Sequence, residues 1–409
     1  MRRRVVVTGM GGITCLGEDW PTIRSNLQGQ KTGVRYMSEW DKFETINTRL
    51  AAPIVGFDVS HRYDRKKLRT MGPLSRMAVY ATERALSDAG LSSEPFLTQG
   101  RVGIAFGSSF GSAEPVLGFA ELMTKGSTTQ INGTSYLQMM SHTAAINIGL
   151  FFGITGRIIP TSSACTSSSQ AIGYGAEAIS YGMQDAMIVG GAEELNVSDA
   201  AVFDTLFATS TKNDTPQTTP RPFDRDRDGL VVGEGAATLI LEEYEHARAR
   251  GARIHAELCG YGTNSDGKHA TQPTVATMAG ALILALRDAG VQREAIGFVN
   301  GHGTATEWGD IAESEATAEV FGNRIPIHAL KSYFGHSLGA CAGIEAWLGI
   351  EMMKEQWFAP TANLVKVDER CAELDYVIGT GRQLDIEYFM SNNFAFGGVN
   401  TSLIFRRSL

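Results

Sequence analysis

The sequence predicts an α/β fold made of two similar halves. Short apolar strands alternate with amphipathic helices along the whole chain, and the same rhythm starts again past its middle. A strand that ends in small residues and turns into a small-residue-rich helix also occurs twice, once around Cys165 and once around His336. With 409 residues the chain accommodates two domains or one duplicated unit. We place the N-terminal half at 1–245, with inserted cap and loop segments, and the C-terminal half at 246–409.

The elements follow in order. Residues 4–8 read as a buried strand that stops at Gly9-Met10-Gly11-Gly12, and 102–106 as a second strand that runs into a Gly107–Gly111 loop. Between them, 75–89 carries Met77, Ala78, Ala81, Ala85 and Leu86 on one helical face. A third strand leads to Cys165 and a fourth spans 186–192. The repeat supplies strands at 237–241, 254–260, 296–300, 327–330, 376–378 and 401–405, with helices at 274–289, 310–321 and 340–354. This alternation predicts parallel sheets covered on both faces, with active residues at strand C-terminal ends. Residues 206–234, rich in proline and charge, read as an ordered loop between the halves.

Composition bounds the function. Hydrophobic residues at 43% and charged residues at 20% describe an ordinary globular protein. A net charge of -8 argues against general nucleic-acid binding. The five cysteines form no CxxC pair, which suits a reducing cytoplasm. The apolar run behind Arg2-Arg3-Arg4 is too short for a secretion signal, and no stretch reaches membrane-span length.

Three motifs carry chemistry. Cys165 follows Ser162-Ser163-Ala164 at the end of an apolar strand and precedes a helix whose first turn is all hydroxyls. The helix macrodipole at that position is expected to favour thiolate, and the small neighbours leave room for an acyl group. His302 sits between Gly301 and Gly303 at a strand end, with Thr304 and Thr306 on one side of an extended segment. Lys331, His336 and Glu345 occupy a strand end, a turn and a helix, and a buried Glu345 needs a partner such as Lys331. The two histidines lack the HxH or HxxxH spacing of a metal site, so no catalytic metal is expected.

Together, Cys165 in its Ser-rich turn, His302 in Gly-His-Gly-Thr-Ala-Thr and the segment 331–345 resemble the elongating type I/II β-ketoacyl-acyl-carrier-protein synthases. The loop with Phe394, Phe396, Gly397 and Gly398, and the central Pro222-Phe223-Asp224 segment, are similar to that family too. The resemblance implies a thiolase-type duplicated αβαβα five-layer sandwich. It also implies decarboxylative condensation of a Cys165 acyl thioester with malonyl-acyl carrier protein. Cys165 is then the nucleophile, and His302 and His336 donate to the malonyl thioester oxygen. Lys331 and Glu345 hold the polar network. The N–H groups of Cys165 and Phe396 form the other oxyanion hole, with Phe396 as gate, while Thr304 and Thr306 bind pantetheine. No cofactor is implied beyond the phosphopantetheine that carries the substrates. A structural cation near Asn300, Glu345 and Asn392 follows from some family members. The implied partners are an acyl carrier protein, docked on Arg62, Arg65, Lys66, Lys67 and Arg69, and a second copy of the chain, or a homologue in its place.

Two residues depart from the family pattern: Gln170 under the nucleophile, and Phe110, which is expected either to shorten or reshape the acyl pocket that its position lines in relatives or to pack in the dimer interface. The pattern around 136–140, 151–153 and 392–396 also looks like the ketosynthases of aryl polyene clusters. A non-catalytic chain-length-factor-like subunit is the alternative reading, opposed by the presence of Cys165 and both histidines. A thiolase needs a second cysteine that 394–400 lacks, and a cysteine hydrolase leaves the two histidine motifs without a role.

Overall fold

The computed structural model describes residues 2–92 and 95–408. In the N-terminal half, strands β1 (Val5–Thr14), β2 (Val102–Gly107), β3 (Ile158–Thr161), β4 (Ala186–Glu193) and β5 (Gly235–Glu243) lie in the order β1-β5-β4-β2-β3. The C-terminal half adds β6 (Ala256–Ser265), β7 (Ile296–Asn300), β8 (Pro326–His328), β9 (Asp375–Tyr376), β10 (Tyr388–Phe394) and β11 (Val399–Arg407). Their order is β6-β11-β10-β7-β8-β9, the same winding with one strand added at the edge. The halves join where Val5–Val7 of β1 pair antiparallel with Ala256–Leu258 of β6.

The sheets are mixed, not parallel as the alternation predicts. In each half the three crossover strands common to both run parallel, and the last strand returns antiparallel. In the C-terminal half the cause is local: β10 and β11 are joined by the short turn Ala395–Gly398 and form a hairpin.

The duplication extends to side chains. Gly9 and Gly11 of β1 lie against Ala85 and Ala81 of helix Pro73–Asp88, where a Cβ would come within 2.2 Å and 2.7 Å of the helix carbonyls. Gly260 and Gly262 of β6 repeat this against Ala285 and Ala281 of helix Val275–Ala289, at 2.4 Å and 2.2 Å. Between each glycine pair a backbone N–H donates to the last carboxylate of the covering helix: Met10 to Asp88 at 2.9 Å, and Tyr261 to Asp288 at 3.0 Å. This packing explains why β1 runs on to Thr14 instead of stopping at Gly9. The glycines are the strand's docking face for a helix, not a turn.

Two further helices, Ser167–Ser180 after β3 and Cys341–Glu355 after the β8 turn, form the central layer of the αβαβα sandwich. Each begins with a tight elbow whose first residue has positive φ, Ala164 at +51° and Leu338 at +43°. They touch where Gly343 N–H donates to Ser168 Oγ at 2.9 Å.

Residues 206–234 connect β4 to β5, so the loop lies inside the N-terminal half and reaches across to the other. Arg227, with 2% side-chain exposure, binds Asp368 at 2.6 Å and lies 3.6 Å from Asp310. It also donates to the carbonyls of Thr306 and Glu307 at 3.2 Å and 2.9 Å. Among the described residues, no helix is long and apolar enough to cross a membrane. Replacing Arg227 by Met leaves Asp310 buried without its cation, and we expect a loss of about 3–5 kcal/mol in urea unfolding.

Candidate active site

Most candidate catalytic residues lie just past the C-terminal end of a strand, with Glu345 inside helix Cys341–Glu355. Cys165 follows β3, His302 follows β7, Lys331 and His336 follow β8, and Phe396 follows β10. A cavity of about 1170 Å³ reaches all of these except Lys331, which lies behind His302. Thr304 and Thr306 line it as well, their hydroxyls 2.9 Å apart.

Hydrogen bonds assign the histidine tautomers. His336 Nδ1 accepts from Leu338 N–H at 3.2 Å, so its proton is on Nε2, which lies 3.0 Å from Cys165 Sγ. His302 Nδ1 accepts from Lys331 Nζ at 3.0 Å and faces the Asn393 amide at 3.3 Å, so it too carries its proton on Nε2. Burial, with the Lys331 charge adding to it, holds both imidazoles well below the usual histidine pKa. Both rings are therefore neutral donors aimed at one place.

Lys331 is 2% exposed and pairs with Glu345, whose other oxygen accepts from Asn393 Nδ2 at 2.7 Å. Burial opposes the lysine charge, but the Cys341 sulfur and Glu345 around it raise its pKa. Glu345 is pushed up by burial against the pull of Lys331 and Asn393.

Cys165 corrects one expectation. Its thiol is pushed up to about 11 by burial, which outweighs Lys331 and the backbone N–H groups of Phe396 and Cys165. Its side chain is in a one-turn elbow ahead of the helix, and it is 3% exposed. Desolvation of a buried sulfur thus exceeds the helix dipole, and the resting group is a thiol.

Cys165, His302 and His336 bring three metal-ligating atoms within 4.8 Å of one another, a convergence the sequence spacing does not reveal. The tautomers decide their use, because each Nε2 holds a proton where a metal would need a lone pair. For the candidate cation, the side-chain oxygens of Asn300 and Asn392 are buried without partners among the described residues. Glu345, in contrast, is committed to Lys331 and Asn393.

Other residues fall differently. Phe110 is 44% exposed and is not among the residues lining the cavity that ends at Cys165. Arg65, Lys66 and Lys67 are exposed on the short helix Arg65–Leu68, with Arg69 exposed just after it, while Arg62 pairs with Glu83 at 2.7 Å. Gln170 is half-buried in the second turn of the helix after Cys165.

Sequence reasoning missed the carboxylates that hold the His302 loop. Glu313 accepts from His302 N–H at 2.6 Å and Gly303 N–H at 2.7 Å. Asp310 accepts from Thr304 and Ala305 N–H at 3.0 Å and 3.1 Å, and from Phe223 N–H at 2.6 Å. Burial raises them to about 8 and about 6. Their signal was the i, i+3 spacing at the start of a helix directly after the glycine-flanked histidine. Asn393, seen only as part of a loop motif, belongs to β10 and binds Glu345.

Comparison with known proteins finds relatives along the whole length of the chain. The profile of the beta-ketoacyl synthase N-terminal domain matches residues 2–247, and that of the C-terminal domain matches 255–365. The 3-oxoacyl-[acyl-carrier-protein] synthase 2 of Vibrio cholerae is 38% identical over 99% of both chains. A crystal structure of a beta-ketoacyl synthase from Burkholderia phymatum covers the whole of both chains at 59% identity, with a TM-score of 0.99. A ketosynthase solved in complex with its type II polyketide acyl-carrier protein is 29% identical, with a TM-score of 0.87.

The thiol assignment has a pH consequence. Alkylation of Cys165 by iodoacetamide is expected to rise about tenfold per pH unit through pH 9 and beyond, because only the thiolate reacts. Mass spectrometry of the Cys165 peptide checks this, and a plateau near pH 8 contradicts it.

Proposed function

This chain belongs to the β-ketoacyl synthase family, and from that premise we propose that it condenses a Cys165-bound acyl group with malonyl-acyl carrier protein to give 3-oxoacyl-acyl carrier protein. The observation that carries this reading is the convergence of a buried thiol and two neutral Nε2–H donors at the end of one cavity.

Cys165 Sγ attacks the thioester carbonyl of the incoming acyl carrier. Its proton passes to the departing pantetheine sulfur, so the step is charge-neutral overall. His336 Nε2–H, 3.0 Å from the sulfur, stabilises the thiolate as it forms. The N–H groups of Cys165 and Phe396 receive the tetrahedral oxyanion. Gly397 and Gly398, at φ +88° and +77°, give the loop after Phe396 a turn that side chains resist.

Malonyl-acyl carrier protein then enters and its carbon–carboxylate bond breaks. CO2 leaves and the electron pair forms an enolate with its charge on the thioester oxygen. His302 and His336 donate to that oxygen. Neutral imidazoles suit this role, since they stabilise the enolate without protonating it away. The enolate carbon attacks the acyl-cysteine carbonyl, the C–S bond breaks, and the Cys165 thiolate recovers a proton from solvent. Lys331 is a positioning residue here, holding the His302 tautomer while Glu345 balances its charge.

The exposed cations Arg65, Lys66, Lys67 and Arg69 are the proposed contact for an acidic carrier protein. A second copy is the proposed cover for the opposite feature, an apolar face beside edge strand β3. Helix Glu114–Lys125 buries only Gly118, and Leu117, Met123, Tyr136 and Leu150 are exposed with Phe110 on neighbouring segments. Phe110 would meet acyl chains in that assembly. A reducing compartment such as the cytoplasm keeps the thiol available.

Intact-protein mass spectrometry tests the nucleophile. An acyl adduct is expected on wild type incubated with acyl-carrier thioesters and none on Cys165→Ala; an adduct on both removes Cys165 from the role. His302→Ala is expected to keep acylation but to slow malonyl decarboxylation by about 10²–10³-fold, the size of a lost oxyanion donor. Release of labelled CO2 measures it.

A further inference from the structure

Two aromatic side chains at the cavity mouth have no part in the steps above. Phe207 and Trp308 both line the cavity that ends at Cys165, and both are exposed, by 87% and 65%.

Phe207 contradicts local backbone preference. Helix Val197–Asp204 ends in a Schellman turn, in which Ala208 N–H donates to Phe203 O and Phe207 N–H donates to Asp204 O, each at 3.0 Å. Phe207 therefore occupies the left-handed position of that turn, with φ at +53°. Glycine is favoured there, because a Cβ crowds the adjoining carbonyl. The chain has a bulky ring at the strained position and gains no burial for it within the protomer. The turn is anchored towards the active site, since Phe203 packs edge-to-face on Phe396 with ring centroids 5.3 Å apart. Trp308 comes from a different wall, in the first turn of helix Glu307–Phe321, two residues after Thr306.

We propose that Phe207 and Trp308 grip the pantetheine arm of the incoming thioester, packing against its branched dimethyl segment while Thr304 and Thr306 take its amide groups. This rests on the condensing reading above. Aromatic faces suit a ligand that is apolar at its dimethyl carbon and planar at its amides. The cavity is continuous from these rings to the thiol, so one extended arm meets both ends.

The test compares Phe207→Gly and Trp308→Ala with wild type, using three donors of one acyl group: carrier protein, pantetheine, and N-acetylcysteamine, which lacks the dimethyl segment. KM for acyl-pantetheine is expected to rise about tenfold in each variant with the maximal rate of Cys165 acylation retained, the scale of one aromatic contact. The N-acetylcysteamine donor is expected to react with all three proteins alike. Phe207→Gly is further expected to raise the melting temperature, because it relieves the turn; a merely structural ring would lower it. An unchanged KM for acyl-pantetheine overturns the proposal. So does a loss confined to the carrier-protein donor, which assigns the aromatics to the carrier's surface. Failure of wild type with every donor instead sinks the condensing reading, and this one with it.

Discussion

The Lys331 ammonium is the constraint on which the site depends. A cation buried beside an imidazole at 3.0 Å leaves His302 one arrangement, with the lone pair on Nδ1 and the proton on Nε2. The same charge opposes protonation of either histidine. It requires a counter-charge, which is Glu345, and Glu345 in turn orders the Asn393 amide that also faces His302. Removing one partner from such a buried set leaves an uncompensated charge, so its members are energetically one unit.

The thiol follows the opposite logic. Its elbow aims Cys165 at the cavity, and burial keeps it protonated at rest. A buried neutral thiol beside fixed donors is poised to become charged only as a thioester carbonyl is attacked. Donors in place beforehand avoid reorganisation during the reaction. The carboxylates Glu313 and Asp310 perform the same service for the His302 loop, holding four consecutive N–H groups from residues 302 to 305.

The duplicated frame makes this convergence possible. Two elbows, one ahead of each central helix, meet across the pseudo-symmetric join and bring β3, β7, β8 and β10 ends together. The repeated docking of Gly9 and Gly11 on one helix, and of Gly260 and Gly262 on another, was visible in the sequence as paired glycines. Paired alanines at matching spacing, Ala81 with Ala85 and Ala281 with Ala285, accompany them. Glycine in a strand reads first as a turn, so only the packed helices reveal these pairs as docking faces.

By itself the sequence determined the α/β class, the two-half rhythm and the family, because strand periodicity and the motifs around Cys165, His302 and Lys331 are local properties of the chain. Most strands of the sheet and the helices that cover it at Pro73–Asp88, Val275–Ala289 and Cys341–Glu355 were legible for the same reason. Helices Trp20–Gln28, Glu114–Lys125, Thr143–Phe152 and Val197–Asp204 were not placed, and β1 runs to Thr14, six residues past its expected end. What only the tertiary structure decided is non-local. The direction of the closing strands depends on partners far along the chain, and β10 was hidden inside a loop motif. The thiol's protonation depends on how much water is excluded from it, and each imidazole's tautomer on what touches its Nδ1. Desolvation and hydrogen-bond partners arise only when distant segments are packed together, so no residue pattern announces them.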